Sequence, residues 1–98
     1  MRIVTFRVIK EFALKYPDSE LSLRDWYHKT MHSQWKSLND IRKTFGSVDY
    51  VGNDRYIFNV RGNKYRLIAV VIFISQKVYI RFIGTHAEYD KIKDCSII

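Results

Sequence analysis

The stretch Asp54–Asp90, DRYIFNVRGNKYRLIAVVIFISQKVYIRFIGTHAEYD, decides the fold of this chain. It contains three runs rich in β-branched and aromatic residues, separated by short polar turns, and such runs predict strands. Consecutive strands joined by tight turns pair antiparallel, so the stretch predicts a β-meander. It has no acidic residue between Arg55 and Arg81. The six basic residues in that interval are Arg55, Arg61, Lys64, Arg66, Lys77 and Arg81.

The strands of the meander are predicted at Arg55–Val60, Lys64–Ile74 and Lys77–Ile83. Gly62-Asn63 is predicted to be a two-residue hairpin turn, because both residues tolerate positive φ. The middle strand is the longest, and its continuous apolar run predicts a central strand covered on both faces.

Helical spacing dominates the residues before the meander. After a first strand at Arg2–Phe6, one helix must stop before Pro17, since the residue preceding a proline is pushed out of helical geometry. Asp18 or Ser19 is expected to cap a second helix. A third helix begins at Ser37 with capping-box spacing. A further strand is predicted at 47–51 and a helical turn at 89–93.

Early helices followed by a meander make the fold α+β. We expect a single domain over residues 1–98, in which the antiparallel sheet packs on the N-terminal helices. The sheet face away from the helices is expected to stay partly open, and a ligand would lie there. Trp26 and Trp35 are interpreted as core residues.

Composition limits the class of protein. The 98 residues carry 17 Lys and Arg against 10 Asp and Glu, for a net charge of +7. Such an excess, concentrated on the meander, favours a nucleic acid or an acidic protein as partner. No signal peptide is apparent, the longest apolar run is too short to span a bilayer, and Cys95 is the only cysteine. We therefore expect a cytoplasmic protein that makes no membrane contact.

Strand alternation identifies basic side chains for an open sheet face. It puts Lys64 and Arg66 on one side of their strand, and it puts Tyr79 with Arg81 opposite Phe82. If the two arginines share the open face, they form a paired phosphate clamp, since each planar guanidinium can bond two phosphate oxygens. The alternative is that either arginine pairs with a structural carboxylate or lies at the rim of the sheet.

His86 and Tyr89 follow the last strand. A histidine titrates near neutral pH, so His86 beside a bound phosphate would be a general acid or base; otherwise it is a solvated loop residue. Tyr89 would stack on a base or bond a phosphate, or else cap the end of the sheet. A Cys95–His86 nucleophilic pair is disfavoured, because the C-terminal tail looks too short to be well fixed.

A zinc site at His28 and His32 is also disfavoured. Their i, i+4 spacing would place them on one helix face, but the sequence offers no third ligand. No metal site is predicted.

The segments FNVRGNKYRLIAVVIF (58–73) and KVYIRFIGTHAEYDKI (77–92) resemble the HigB family of toxins from bacterial toxin–antitoxin pairs. The upstream segment SLNDIRKTFGSVDYVGNDRYIFNV (37–60) fits the same family, so the resemblance covers nearly the whole chain. It implies a RelE-like fold and a metal-independent, ribosome-dependent mRNA interferase. It also implies a helix-turn-helix antitoxin of the HigA type as partner, with operator DNA bound only through the toxin–antitoxin complex.

The resemblance assigns roles to particular residues. Arg66 matches the strand arginine that stabilises charge on the phosphate, and Lys64 matches the basic residue two positions earlier. Both are expected to be catalytic, together with His86 and Tyr89. His86 stands where the broader RelE group often has an arginine, and takes the general acid or base role. Tyr89 is a candidate for base stacking or proton transfer. The residues expected to contact RNA phosphates are Arg61, Arg81, Lys77 and Asn63.

Two other classes of function stay open. The same basic sheet face would also serve a non-catalytic module that binds RNA or the ribosome. Alternatively, it would dock an acidic protein partner.

Overall fold

A five-stranded sheet forms the centre of the protein in the computed structural model, which describes residues 1–98. Its strand order is β1-β5-β4-β3-β2. The meander is confirmed, because β2 to β5 pair antiparallel in succession, while β1 adds to β5 in parallel. The strands are β1 (Arg2–Val4), β2 (Val48–Gly52), β3 (Arg55–Val60), β4 (Tyr65–Ile72) and β5 (Lys77–Thr85).

Three of the four helices precede the meander, which confirms the predicted α+β class. The first begins earlier than predicted, because the hydroxyl of Thr5 accepts from the Arg7 amide and ends β1 at Val4. Pro17 stops that helix as predicted, and starts a 3₁₀ turn. The helices are α1 (Phe6–Lys15), α2 (Glu20–Met31), α3 (Leu38–Thr44) and α4 (His86–Asp90), with 3₁₀ turns at Pro17–Ser19 and Cys95–Ile97.

One face of the sheet packs against the helices to form the core. Trp26 and Trp35 are each only 2% exposed, as predicted for core residues. Their rings pack against Phe58 of β3, and such aromatic pairs add to the free energy gained from burial. The sheet contributes Val48, Tyr56, Phe58, Val60, Tyr65, Leu67, Ala69, Val71, Val78 and Ile80 to this core.

A β-bulge in β5 alters the predicted strand faces. Ile68 of β4 pairs with Phe82 while the next residue, Ala69, pairs with Ile80, so Arg81 is an extra residue. The bulge moves Phe82 to the face of β4 that carries Arg66 and Ile68, whereas simple alternation placed Phe82 with Ile80 on the other face. That prediction was wrong, because alternation assumes an uninterrupted ladder.

Two boundary predictions in the meander are also corrected. The positive-φ residues of the β3–β4 loop are Arg61 and Gly62, not Gly62 and Asn63, and the loop spans Arg61 to Lys64. β4 is central as predicted, but it ends at Ile72 and is shorter than β5. Ile74 stands fully exposed in the turn that follows.

The C-terminal tail lies across β2 and β3 instead of hanging free. Nε and Nη2 of Arg55 donate to the main-chain oxygen of Ile98 at 3.1 and 2.9 Å, and Nδ2 of Asn53 donates to the Ser96 oxygen at 3.0 Å. The expectation of a poorly fixed tail was therefore wrong. The sheet face away from the helices carries the tail at one end and Arg66 at the other.

Candidate functional site

The site is built where β5 passes directly into α4. Thr85 and Glu88 form a capping box, in which the Thr85 hydroxyl accepts from the Glu88 amide and Oε1 of Glu88 accepts from the Thr85 amide. The helix therefore starts at His86, three residues before the predicted turn. The pattern Thr-x-x-Glu at 85–88 is a recognised helix start signal, and the sequence analysis overlooked it.

The helix start fixes His86 against the end of β4. Its amide donates to the Lys64 oxygen at 3.2 Å, so α4 is tied to the strand that carries Arg66. His86 and Tyr89 lie three residues apart on one helix face, with ring centroids 6.4 Å apart. Two of the predicted catalytic side chains are thus brought together.

Arg66 also lies against Tyr89. Its guanidinium carbon lies 5.4 Å from the Tyr89 ring centroid, and its Nη1 donates to Oδ1 of Asn63 at 3.1 Å. No carboxylate lies within ion-pair distance of Arg66. Neither the Tyr89 ring nor the Asn63 amide carries a negative charge, so neither neutralises the charge of Arg66. Arg66 is therefore available to bind an incoming anion. Asn63 orients Arg66 in this structure.

Asp90 orients the imidazole of His86 and was missed by the sequence analysis. Nδ1 of His86 lies 2.9 Å from Oδ2 of Asp90, one helical turn away. A carboxylate can only accept a hydrogen bond, so Nδ1 carries the proton and Nε2 of the neutral ring is left with a free lone pair. The i, i+4 spacing of a histidine and an aspartate was the available signal.

The phenol of Tyr89 is partly buried in this setting. Burial raises the pKa of the Tyr89 phenol, and the neighbouring Cys95 side chain adds to the increase, while the charge of Arg66 opposes it. The phenol therefore remains protonated at neutral pH. Cys95 consequently stands beside Tyr89, on the tail that the sequence analysis expected to be loose.

Lys64 and Arg61 of the β3–β4 loop both bind a carboxylate, whereas Arg66 binds none. Nζ of Lys64 and Nη1 of Arg61 both bind Oδ2 of Asp18, and the hydroxyl of Tyr65 donates to Oδ1 of Asp18 at 2.5 Å. These contacts lower the pKa of Asp18 to about 2, chiefly through the hydrogen bonds from Lys64 and Tyr65. The same hydrogen bond raises the pKa of Lys64, so Lys64 stays an ammonium ion at neutral pH.

Asp18 was one of two residues expected to cap α2, but its carboxylate binds the β3–β4 loop instead. Ser19 occupies the N-cap position, but its side chain does not cap the helix either, because its hydroxyl donates to the Tyr16 oxygen at 2.7 Å. The contact between Asp18 and the loop joins residues more than 40 positions apart in the sequence, and helix spacing carries no information about it.

The other predicted phosphate contacts lie away from Tyr89. Nε of Arg81 donates to the Ile98 oxygen at 3.2 Å, beside Arg55, so Arg81 and Arg66 are engaged with different partners. Lys77 begins β5, opposite Ile72, while His86 follows the end of that strand. Eight strand residues span about 26 Å at roughly 3.3 Å each, so Lys77 cannot reach the phosphate that Arg66 would bind.

Nowhere in the structure do three or more histidine, cysteine or carboxylate side chains come together in a way that could hold a metal ion. The rings of His28 and His32 stack with centroids 6.5 Å apart, but no third ligand joins them. None of the helices is long and apolar enough to cross a bilayer.

Comparisons with known proteins give the class and then the family. A family model described as HigB_toxin, the RelE-like toxic component of a toxin–antitoxin system, matches residues 19–92. The small α+β fold described above is that of a RelE-like toxin. The chain belongs to the HigB toxin family, as its resemblance to that family indicated.

Individual relatives agree with the family. The chain is 37% identical over 93 residues to "mRNA interferase toxin HigB" of Escherichia coli (strain K12), covering 92% of this chain and 88% of the relative. It is 37% identical to "mRNA interferase HigB" of Shigella flexneri, with the same coverage. It is 31% identical over 94 residues to the protein of that name in Escherichia coli O6:H1, covering 94% and 91%.

Proposed function

We propose that this toxin is an mRNA endoribonuclease that cleaves messages on the translating ribosome without a metal ion. The observation that carries the proposal is the position of Arg66, which lies over Tyr89 with no carboxylate partner, beside a histidine oriented by Asp90. The family description as a toxic component and the relatives' names as mRNA interferases support this activity.

The reaction needs a base, a positive charge and an acid. Nε2 of His86 removes the proton from the RNA 2′-hydroxyl, whose oxygen then attacks the adjacent phosphorus. Arg66 binds the phosphate oxygens and stabilises the charge that develops on them. The Tyr89 phenol donates its proton as the bond from phosphorus to the 5′-oxygen breaks. The products are a 2′,3′-cyclic phosphate and a 5′-hydroxyl, and proton exchange with water restores both side chains.

The remaining basic residues bind RNA and do not take part in proton transfer. Lys64 stays protonated beside Asp18, so its role is to supply positive charge. Arg61 and Arg81 have guanidinium nitrogens beyond those that bond Asp18 and Ile98, and these contact neighbouring phosphates. Lys77, at the far end of β5, contacts more distant RNA or the ribosome. Asn63 holds Arg66 in place.

The proposed partner is a HigA-like helix-turn-helix antitoxin, with the pair binding operator DNA through the antitoxin in the cytoplasm. The family's description as half of a toxin–antitoxin system supports the pairing. Purification of the complex from cells that express both genes, followed by gel-shift assays with and without the antitoxin, tests this part.

The activity itself is tested in a reconstituted translation reaction without added nuclease. We expect mapped cleavages in the translated message, and none in the same RNA without ribosomes. His86→Ala and Arg66→Ala should each abolish both the cleavage and the growth arrest that expression of the toxin causes. Full toxicity in both variants would contradict the assigned site.

A non-catalytic RNA- or ribosome-binding module is the second candidate, because the meander shows the same basic residues in either case. Arg66→Lys separates the two. Binding through charge alone survives this change, whereas a planar two-oxygen contact does not. Inhibition of translation with intact messages would favour the binding module.

A further inference from the structure

A shallow groove runs along the side of His86 that faces away from Arg66. It has a volume of about 560 Å³ and lies between the end of α1 and the start of α4. Its lining includes Lys15, Asp18, Lys64, Tyr65 and His86. The groove therefore adjoins the candidate active site through a shared residue, His86.

We propose that this groove binds the RNA phosphate next to the scissile one, and that the carboxylate of Asp18 occupies the phosphate position until RNA displaces it. The proposal rests on the proposed function in taking RNA as the ligand. Asp18 is held by an arginine, a lysine and a tyrosine hydroxyl. Those are the donors that bind phosphate oxygens in proteins, and a carboxylate is the protein group closest to phosphate in charge and geometry.

The donors around Asp18 exceed what one carboxylate can use. Arg61 contacts Asp18 through Nη1 alone, which leaves its other nitrogens free, and Lys64 has three ammonium protons. Lys15 also lines the groove and has no carboxylate within ion-pair distance. Among the ionised side chains of the groove, one negative charge thus stands against two lysines and the adjacent Arg61.

The position of Asp18 allows it to move aside. It belongs to the short 3₁₀ turn Pro17–Ser19, and its side chain is about one-third exposed. The side chain of Asp18 can therefore rotate into water without unfolding a helix. Lys64 and Arg66 are two residues apart on the chain, so a strand of RNA that passes over His86 can meet one cation on each side.

Binding of an uncleavable RNA tests this proposal separately from catalysis. The probe is a short, fluorescent 2′-O-methyl RNA, which lacks the attacking hydroxyl, and fluorescence anisotropy gives its affinity over a range of salt concentrations. We expect Asp18→Asn to bind about fivefold more tightly at low salt, because the RNA phosphate no longer has to displace a carboxylate from its ionic contacts.

Two further variants make the result specific. Glu11→Gln is the matched control, because Glu11 is an exposed partner of Arg7 outside the groove, and its loss changes the net charge equally. Lys15→Met should weaken binding. Because it leaves the Asp18 contacts intact, it still tests the groove if Asp18→Asn folds poorly. Adding Lys64→Met to Asp18→Asn should remove the gain.

Several outcomes would overturn the proposal. An equal or weaker affinity in a folded Asp18→Asn, or the same gain in Glu11→Gln, would mean that Asp18 only fastens the 3₁₀ turn to the loop. Unchanged affinity in Lys15→Met would exclude RNA from the groove. If the wild-type protein fails to cleave messages but these affinity changes appear, the proposed activity is wrong and the phosphate site is not.

Discussion

Arg66 and Lys64 lie two residues apart at one end of the sheet, yet they have opposite surroundings. Arg66 is held by a neutral ring and an amide, and it meets no carboxylate. Lys64 shares the carboxylate of Asp18 with Arg61. Two basic residues that look alike in the sequence therefore have different surroundings: Arg66 meets no carboxylate, and Lys64 shares one with Arg61.

The largest difference between Arg66 and Lys64 should appear in the rate of RNA cleavage. Arg66→Ala removes a charge aimed at the developing phosphate charge, and such losses cost about 10² to 10³ in rate. Lys64→Ala should cost at most about fivefold, because an exposed ionic contact is worth roughly 0.2–1 kcal/mol. Primer extension on a translated message measures both rates. Equal losses in the two variants would show that the contact with Asp18 does not restrain Lys64.

Much of this arrangement could be predicted from the sequence, since the meander and the α+β class follow from hydrophobic period and turn residues. The roles expected of Arg66 and His86 came from the resemblance to the HigB family. The partners of the charges could not. Asp18 meets Lys64 across 46 positions, and the bulge at Arg81 depends on the packing of β4 against β5. Both depend on tertiary packing, whereas the Thr85–Glu88 cap was a local signal that could have been found.

The role of Asp90 can be tested next to that of Arg66. Asp90→Asn replaces a pure acceptor with an amide whose NH₂ group can also donate, and so it removes the preference for a proton on Nδ1 of His86. We expect cleavage to fall, by less than the roughly 10² to 10⁴ that loss of a general acid or base costs in His86→Ala. RNA affinity should be unchanged, which separates ring orientation from binding. Wild-type cleavage rates in Asp90→Asn would remove Asp90 from the site.

Packing on the Arg66 side depends on Gly84, which pairs with Arg66 across the strands. A Cβ at Gly84 would overlap the Phe82 ring, with Cε1 only 3.0 Å away. The Phe82 ring would have to move, and overpacking of this kind costs about 1–3 kcal/mol. Gly84→Ala should therefore lower the free energy of unfolding and reduce cleavage. Gly46→Ala is the control, because nothing lies within 4 Å of its Cβ, and urea unfolding measures both.

Acid should weaken the contacts that Asp18 makes with Lys64 and Arg61. The pKa of Asp18 in the folded protein is about 2, below its ordinary value of 3.8. A carboxyl whose pKa is depressed by folding stabilises the native state above its unfolded pKa, and that contribution is lost as the pH falls through the folded pKa. The free energy of unfolding of the wild-type protein should thus fall more between pH 5 and about 2 than that of Asp18→Asn, which has no such group. Because Asp18 is partly exposed, salt should reduce the difference between the two proteins. Parallel pH profiles for the two proteins would show that Asp18 contributes no net stability through Lys64 and Arg61, even though all three meet in the folded structure.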